Sequence, residues 1–197
     1  EVSIFSTAAI ILSPLGETIV AAHQIAMSVT SQLFMIPMSL AIALTIRVGT
    51  YYGEKNWEAM RKVQKLGLAT GTVLALMTML LIALFRPEIV AIYTADHEVS
   101  EVAMYLLLFA LAYQLMDAWQ ISAAGCLRGM QDTKGPMWIT MVAYWIVAFP
   151  VSIYLARYTN IGAAGVWIGL IVGLSVACAL LLLRLYNNNK RLSQDYP

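Results

Sequence analysis

Charge is scarce in this chain. Only 12% of its 197 residues are Asp, Glu, Lys or Arg, against about 25% in a typical soluble domain. What charge there is nearly cancels, at +1 net. No basic stripe is available for phosphates, and no nucleic-acid partner is expected. Cysteine is almost missing: Cys126 and Cys178 stand in separate apolar contexts and make no disulfide framework. Spacings for a metal cluster, a nucleophile elbow or a phosphate loop do not occur, so neither an enzyme nor a cofactor is expected. Regular turn signals and period-2 alternation are also missing, which removes a membrane β-barrel. What is present in excess is apolar surface, at 60% of residues and a mean hydropathy of +0.74. That excess excludes a disordered chain. The composition is that of an all-α, multi-pass membrane protein.

With no water in the hydrocarbon core, each crossing segment must satisfy its own backbone, so long apolar runs read as helices. Six such runs occur. The first, residues 1–13, is too short to cross and reads as the outer part of a helix that begins before it. The others cover about 19–46, 66–85, 102–124, 136–156 and 162–183. Placement of basic residues tests this count. Ten of the twelve Lys and Arg fall after the second and fourth runs and at the C-terminus, while Arg86 and Arg157 alone fall on the opposite side. Five or seven spans would scramble that alternation. The basic side, with the C-terminus, is expected to be cytoplasmic, and the outer loops carry Glu17, Glu88, Asp96, Glu98 and Glu101 instead. Ser13-Pro14-Leu15-Gly16 reads as a tight outer turn. The amphipathic 51–65 segment is expected to lie along the inner headgroups.

Ionisable residues at membrane depth are costly by a few kcal/mol or more and normally face the bundle interior, where they have work to do. Two carboxylates qualify, Glu1 and Asp117. Glu1 lies roughly 18 Å from the outer turn and Asp117 roughly 24 Å in from Glu101, at 1.5 Å per residue. The difference is about one helical turn, so both can open onto one cavity. Tyr113, Gln114 and Gln120 lie within a turn of Asp117 at helical spacing. The second run adds Gln24, Met27, Ser28, Ser31 and Met35 at helical spacing. Such polar groups either line a cavity or join helices by hydrogen bonds. Asp117 has no Lys or Arg at its depth, which favours the cavity. Desolvation disfavours a charged carboxylate and a bound cation favours it. Such a site takes H⁺ or a hard cation such as Na⁺, with Glu1 and Asp117 as ligands, in a transporter or in a channel.

Gly165, Gly169, Gly173 and Ala177 form a small-residue stripe that reads as a packing seam, and Gly67 and Gly71 repeat the theme. Pro150 should bend the fifth span and is a candidate hinge. The eleven methionines read as gap fillers. His23 reads as a wetted residue near the outer interface, and Asp132 as a cap or bridge in its loop.

Several blocks carry a resemblance. They are Ala21-Ala22-His23-Gln24-Ile25-Ala26, Pro37-Met38-Ser39-Leu40, Thr45-Ile46-Arg47-Val48-Gly49 and Leu127-Arg128-Gly129-Met130-Gln131-Asp132-Thr133-Lys134, with Tyr144-Trp145 and Pro150. Together they resemble the multidrug and toxic compound extrusion (MATE) family, and Tyr113-Gln114-Leu115-Met116-Asp117 is similar to its NorM-type branch. The resemblance implies a twelve-helix transporter in two six-helix lobes, of which residues 1–197 match the C-terminal one, the N-terminal lobe being absent. It implies Glu1 and Asp117 as cation ligands, Tyr113 beside them, and Phe34 as an aromatic residue facing the cation. It further implies a bacterial inner-membrane location and antiport of Na⁺ or H⁺ against cationic drugs and dyes. Two alternatives stand beside it. A flippase of the same superfamily would line its cavity with cations, and an ion channel or energy-converting subunit would need a longer ionisable relay.

Overall fold

The backbone of so apolar a chain has no partner in lipid but itself. Among the described residues it is satisfied by helices alone. The computed structural model describes residues 12–159 and 161–195. A 3-10 turn (Ser13–Leu15) leads into α1 (Glu17–Gly53), followed by α2 (Trp57–Tyr93) and α3 (His97–Gly129). Then come α4 (Lys134–Val142), a π-helical stretch (Ala143–Ala148), α5 (Phe149–Tyr158) and α6 (Ala163–Asp195). With α4 to α5 taken as one, five of these helices are long and apolar enough to cross a membrane. The expected first span and Glu1 lie outside the described residues.

The turns follow from local chemistry. At the acidic end, Gly16 adopts φ +107° and its N–H donates to the Ser13 carbonyl, which closes the expected tight turn. The Asp96 carboxylate caps α3, accepting from the backbone of Glu98 at 2.9 Å and Val99 at 3.2 Å. At the basic end the 51–65 segment corrects the sequence expectation. It is no separate surface helix, because α1 continues to Gly53 and α2 begins at Trp57. Lys55 in the left-handed region and Asn56, which caps the Ala59 N–H at 3.1 Å, reverse the chain within three residues. Its amphipathic pattern is instead that of a helix end, with Met60 and Gln64 buried and Lys62 and Lys65 exposed.

Helix α3 is the centre of the bundle and packs against α1, α2 and α6. Every residue from Gln120 to Leu127 is buried. Its tightest neighbour is α1. A Cβ on Gly125 would lie 2.6 Å from the Ala41 carbonyl oxygen, and one on Gly129 2.8 Å from that of Thr45. The Thr45 hydroxyl crosses the seam to donate to the Gly125 carbonyl at 3.0 Å. In lipid, where apolar surface gains little by helix contact, such close approach and interhelical hydrogen bonding are what hold helices together. The stripe on α6 works in the same way. Gly165 lies against the Leu155 backbone, Gly169 against Ser152 and Gly173 against Ala148. Gly67 and Gly71 of α2 meet Leu44 and Ser122. Substituting Gly125 by Ala is expected to cost about 1–3 kcal/mol through overpacking. It should lower the unfolding temperature of detergent-purified protein by several degrees. Gly53→Ala, whose added methyl meets nothing within 4 Å, should leave that temperature unchanged or raise it slightly.

Candidate ion and substrate site

One face of α3 carries Asp117, Gln120, Ile121, Ala124 and Arg128, at i, i+3, i+4, i+7 and i+11. Asp117 is 1% exposed and Gln120 2%. Below Asp117, towards the basic end, this face forms one wall of a cleft of about 680 Å³. Phe34, Met38, Ile42 and Thr45 of α1 form the second wall, and Pro136, Met137 and Thr140 of α4 the third. Arg128 stands at its basic mouth. Gln120, three residues and about 4.5 Å along the axis from Asp117, is the polar step between the acid and the cleft. The lining is aromatic, thioether and aliphatic with a few hydroxyls and one amide. That is the chemistry of a pocket for amphipathic organic molecules. Met38 and Met137 stand exposed on the cleft walls, whereas Met60 and Met130 are buried among the apolar side chains of the core.

Behind Asp117, one turn nearer the acidic end, Tyr113 is 5% exposed. Its ring meets Trp167 of α6 edge-on, with centroids 6.3 Å apart. Trp167 meets His23 of α1 in the same manner at 5.9 Å. All three are buried, so His23 is no wetted interface residue. Trp167 can sit there because neighbouring Gly165 and Gly169 bring α6 against α5. Sequence reasoning missed it; the one available signal was a Trp inside a glycine stripe. Edge-to-face contacts among rings from three helices fix the rotation of α3, and with it the direction of the Asp117 face.

The other expected site residues divide by face. Phe34 lines the cleft with Gln120. Gln24, Ser31 and Met35 are exposed and Ser28 is half-buried, forming with Met38, Ile42 and Ile46 one open stripe along α1. Gln114, buried, is turned away from the cleft, onto a narrow void with Pro37, Ala75 and Thr78. Pro150 opens α5 directly after the π-helical stretch. A proline lacks its N–H and crowds the carbonyl four residues back, and the wider helix ahead of it relieves that clash. Among the described residues no group of three or more His, Cys, Asp or Glu gathers to hold a metal.

At the basic end α6 is locked to the α3–α4 turn. Arg184 makes a two-pronged contact with Asp132, its Nε donating at 2.5 Å and its other nitrogen at 3.0 Å. Asn188 donates to the same carboxylate at 3.1 Å, as does the Gly135 N–H at 3.2 Å. A side chain on Gly135 would occupy the guanidinium's place. Asp132 thus both bridges and caps. The Arg184 hydrogen bond holds the Asp132 carboxyl below its ordinary value, helped by Asn188 and Gly135 and opposed by burial.

The MatE family model matches residues 1–154. The chain is 76% identical over 195 residues to "Probable multidrug resistance protein NorM" of Acinetobacter baylyi, covering 99% of this chain and 43% of that protein. It is 43% identical over 192 residues to "Multidrug resistance protein NorM" of Vibrio cholerae, covering 94% and 42%. The chain thus spans less than half the length of these relatives. The fold is similar to a structure described as the outward-facing conformation of a multidrug resistance MATE family transporter. The TM-score there is 0.88 at 20% identity, over 98% of this chain and 43% of that one.

A carboxyl held below its ordinary value contributes stability above the unfolded value, about pH 3.9, and loses it as pH falls through the folded one. Asp132→Asn is expected to cost about 1 kcal/mol at pH 7, a modest figure because Arg184 is 43% exposed. In thermal unfolding, the gap between the wild type and Asp132→Asn should close below about pH 4.

Proposed function

The chain belongs to the MATE family, a family of transporters and not of enzymes, and on that premise we propose that it forms the C-terminal six-helix half of a multidrug/cation antiporter. Glu1 and Asp117 are the proposed cation ligands, for Na⁺ or H⁺, with Tyr113 beside them. The observation that carries this reading is Asp117 itself: a carboxylate 1% exposed, within the bundle, on the face that continues as a cleft wall. An acid in such a place is stable when protonated or when a cation offsets its charge. Occupancy by the ion can therefore favour one arrangement of the helices over another, to the extent that the ion's affinity differs between them.

In this scheme the ion arrives from outside, and an organic cation held along Phe34, Met38, Met137 and Gln120 leaves outward as it binds. The exposed α1 stripe of Gln24, Ser28, Ser31 and Met35 would complete that cavity against the N-terminal lobe. Pro150 and the π-helical turn before it would be where the α4–α5 span flexes. The basic end, with the C-terminus, faces the cytoplasm of a bacterial inner membrane, as the ten-to-two distribution of Lys and Arg supports. Arg128, alone at the cleft mouth, is a topology anchor. A flippase reading gains no support there, since no further Lys or Arg lines the cleft.

In the full-length transporter, Asp117→Asn is expected to reduce ion-driven ethidium efflux to the level of cells without the protein, at unchanged expression, while Asp117→Glu keeps part of it. Efflux from vesicles under separately imposed Na⁺ and H⁺ gradients identifies the coupling ion. Unchanged efflux in Asp117→Asn would remove Asp117 from the mechanism.

A further inference from the structure

A second concavity, of about 440 Å³, lies between α2 and α6 at the basic end, separate from the Asp117 cleft. Its rim carries Arg61, Lys65 and Lys190, and its floor Leu68, Leu182 and Leu185. No carboxylate is among the residues that line it. Arg61 is pinned in place, donating to the Trp57 carbonyl at 3.1 Å and to the Ser193 hydroxyl. Asn189 ties the two helices together behind it, donating to Gln64 at 2.7 Å. Lys65 and Lys190 are exposed.

Three cations facing one groove repel each other unless an anion sits among them, and at a membrane surface the anion at hand is a lipid phosphate. The polarity of the groove runs in the matching sense. Its cations lie within the first nine residues of α2 and the last six of α6, on the side nearer the basic end. The leucine floor lies deeper, and beyond it Val73 and Leu76 of α2 and Leu180 of α6 are exposed towards mid-membrane. We propose that this groove is a binding site for one anionic phospholipid, its phosphate among Arg61, Lys65 and Lys190 and its acyl chains along the apolar faces of α2 and α6. Such a lipid wedges between helices that otherwise touch little. The inference needs only the membrane placement of the helices and is independent of ion coupling.

Native mass spectrometry of the full-length protein, with phosphatidylglycerol titrated into detergent, tests it. The wild type should retain phosphatidylglycerol at least tenfold more tightly than phosphatidylcholine. Lys65→Gln with Lys190→Gln, a pair outside every hydrogen bond described above, should lose most of that preference without a change in unfolding temperature. Adding Arg61→Gln should abolish it. Arg47→Gln with Lys55→Gln, elsewhere at the same end, should not affect it. Millimolar inorganic phosphate should leave the lipid bound. Equal retention of the two lipids, an unchanged preference in the Lys65/Lys190 variant, or displacement by free phosphate would overturn the proposal. Efflux by Asp117 variants bears on the other reading and does not enter this one.

Discussion

Helix α3 meets α1 backbone against backbone. Where α1 crosses α3, Gly125 and Gly129 leave no room for a methyl group against Ala41 and Thr45, and Thr45 joins the two helices by a hydrogen bond. A lipid-embedded helix gains little from burying leucines against other leucines, so this seam has to come from small residues and polar contacts. The rest of the architecture follows from it. Drawn against α1, α3 is buried on every side along its inner half, and α2 and α6 must pack on what remains. The cleft then opens where α4 stands off from the same pair.

That arrangement places one acid under heavy constraint. Asp117 cannot turn to lipid, because Tyr113, one turn away, is held by Trp167, which in turn meets His23. A carboxylate locked inside an apolar bundle carries a large difference in free energy between its bare and neutralised forms. That difference is what the proposed ion exchange at this position would draw on. The nearby cleft of Phe34, Met38 and Met137 offers soft, adaptable walls to an organic molecule, with Gln120 as the one amide joining the two regions.

Much of the helical plan was legible because hydropathy and backbone satisfaction leave a membrane chain few options. The glycine stripe of α6 read as a seam, and Asp132 as a bridge and cap, are seen as such in the structure. The errors have a common origin. A sequence gives polarity without partners, so it reads His23 as wetted and the 51–65 segment as lying along the headgroups. An aromatic ring from α6 covers the histidine, and a left-handed Lys55 followed by the Asn56 cap turns the chain at once. Trp167 shows in the sequence only as a Trp within a glycine stripe; that it orients Tyr113 depends on a neighbouring helix. The burial of Asp117 was legible because a charge in an apolar run stands out whatever surrounds it, whereas Glu1 lies outside the described residues.

The proposed antiport requires Asp117 to be a buried acid that exchanges a small cation with water. Dicyclohexylcarbodiimide, an apolar reagent that adds to protonated carboxyl groups within membranes, reads this directly when the modified residue is identified by mass spectrometry. The account predicts an adduct on Asp117 whose formation slows as pH rises, or as Na⁺ is added at fixed pH. A carboxyl that forms no adduct at any pH, or one modified at a rate indifferent to both ions, would contradict it.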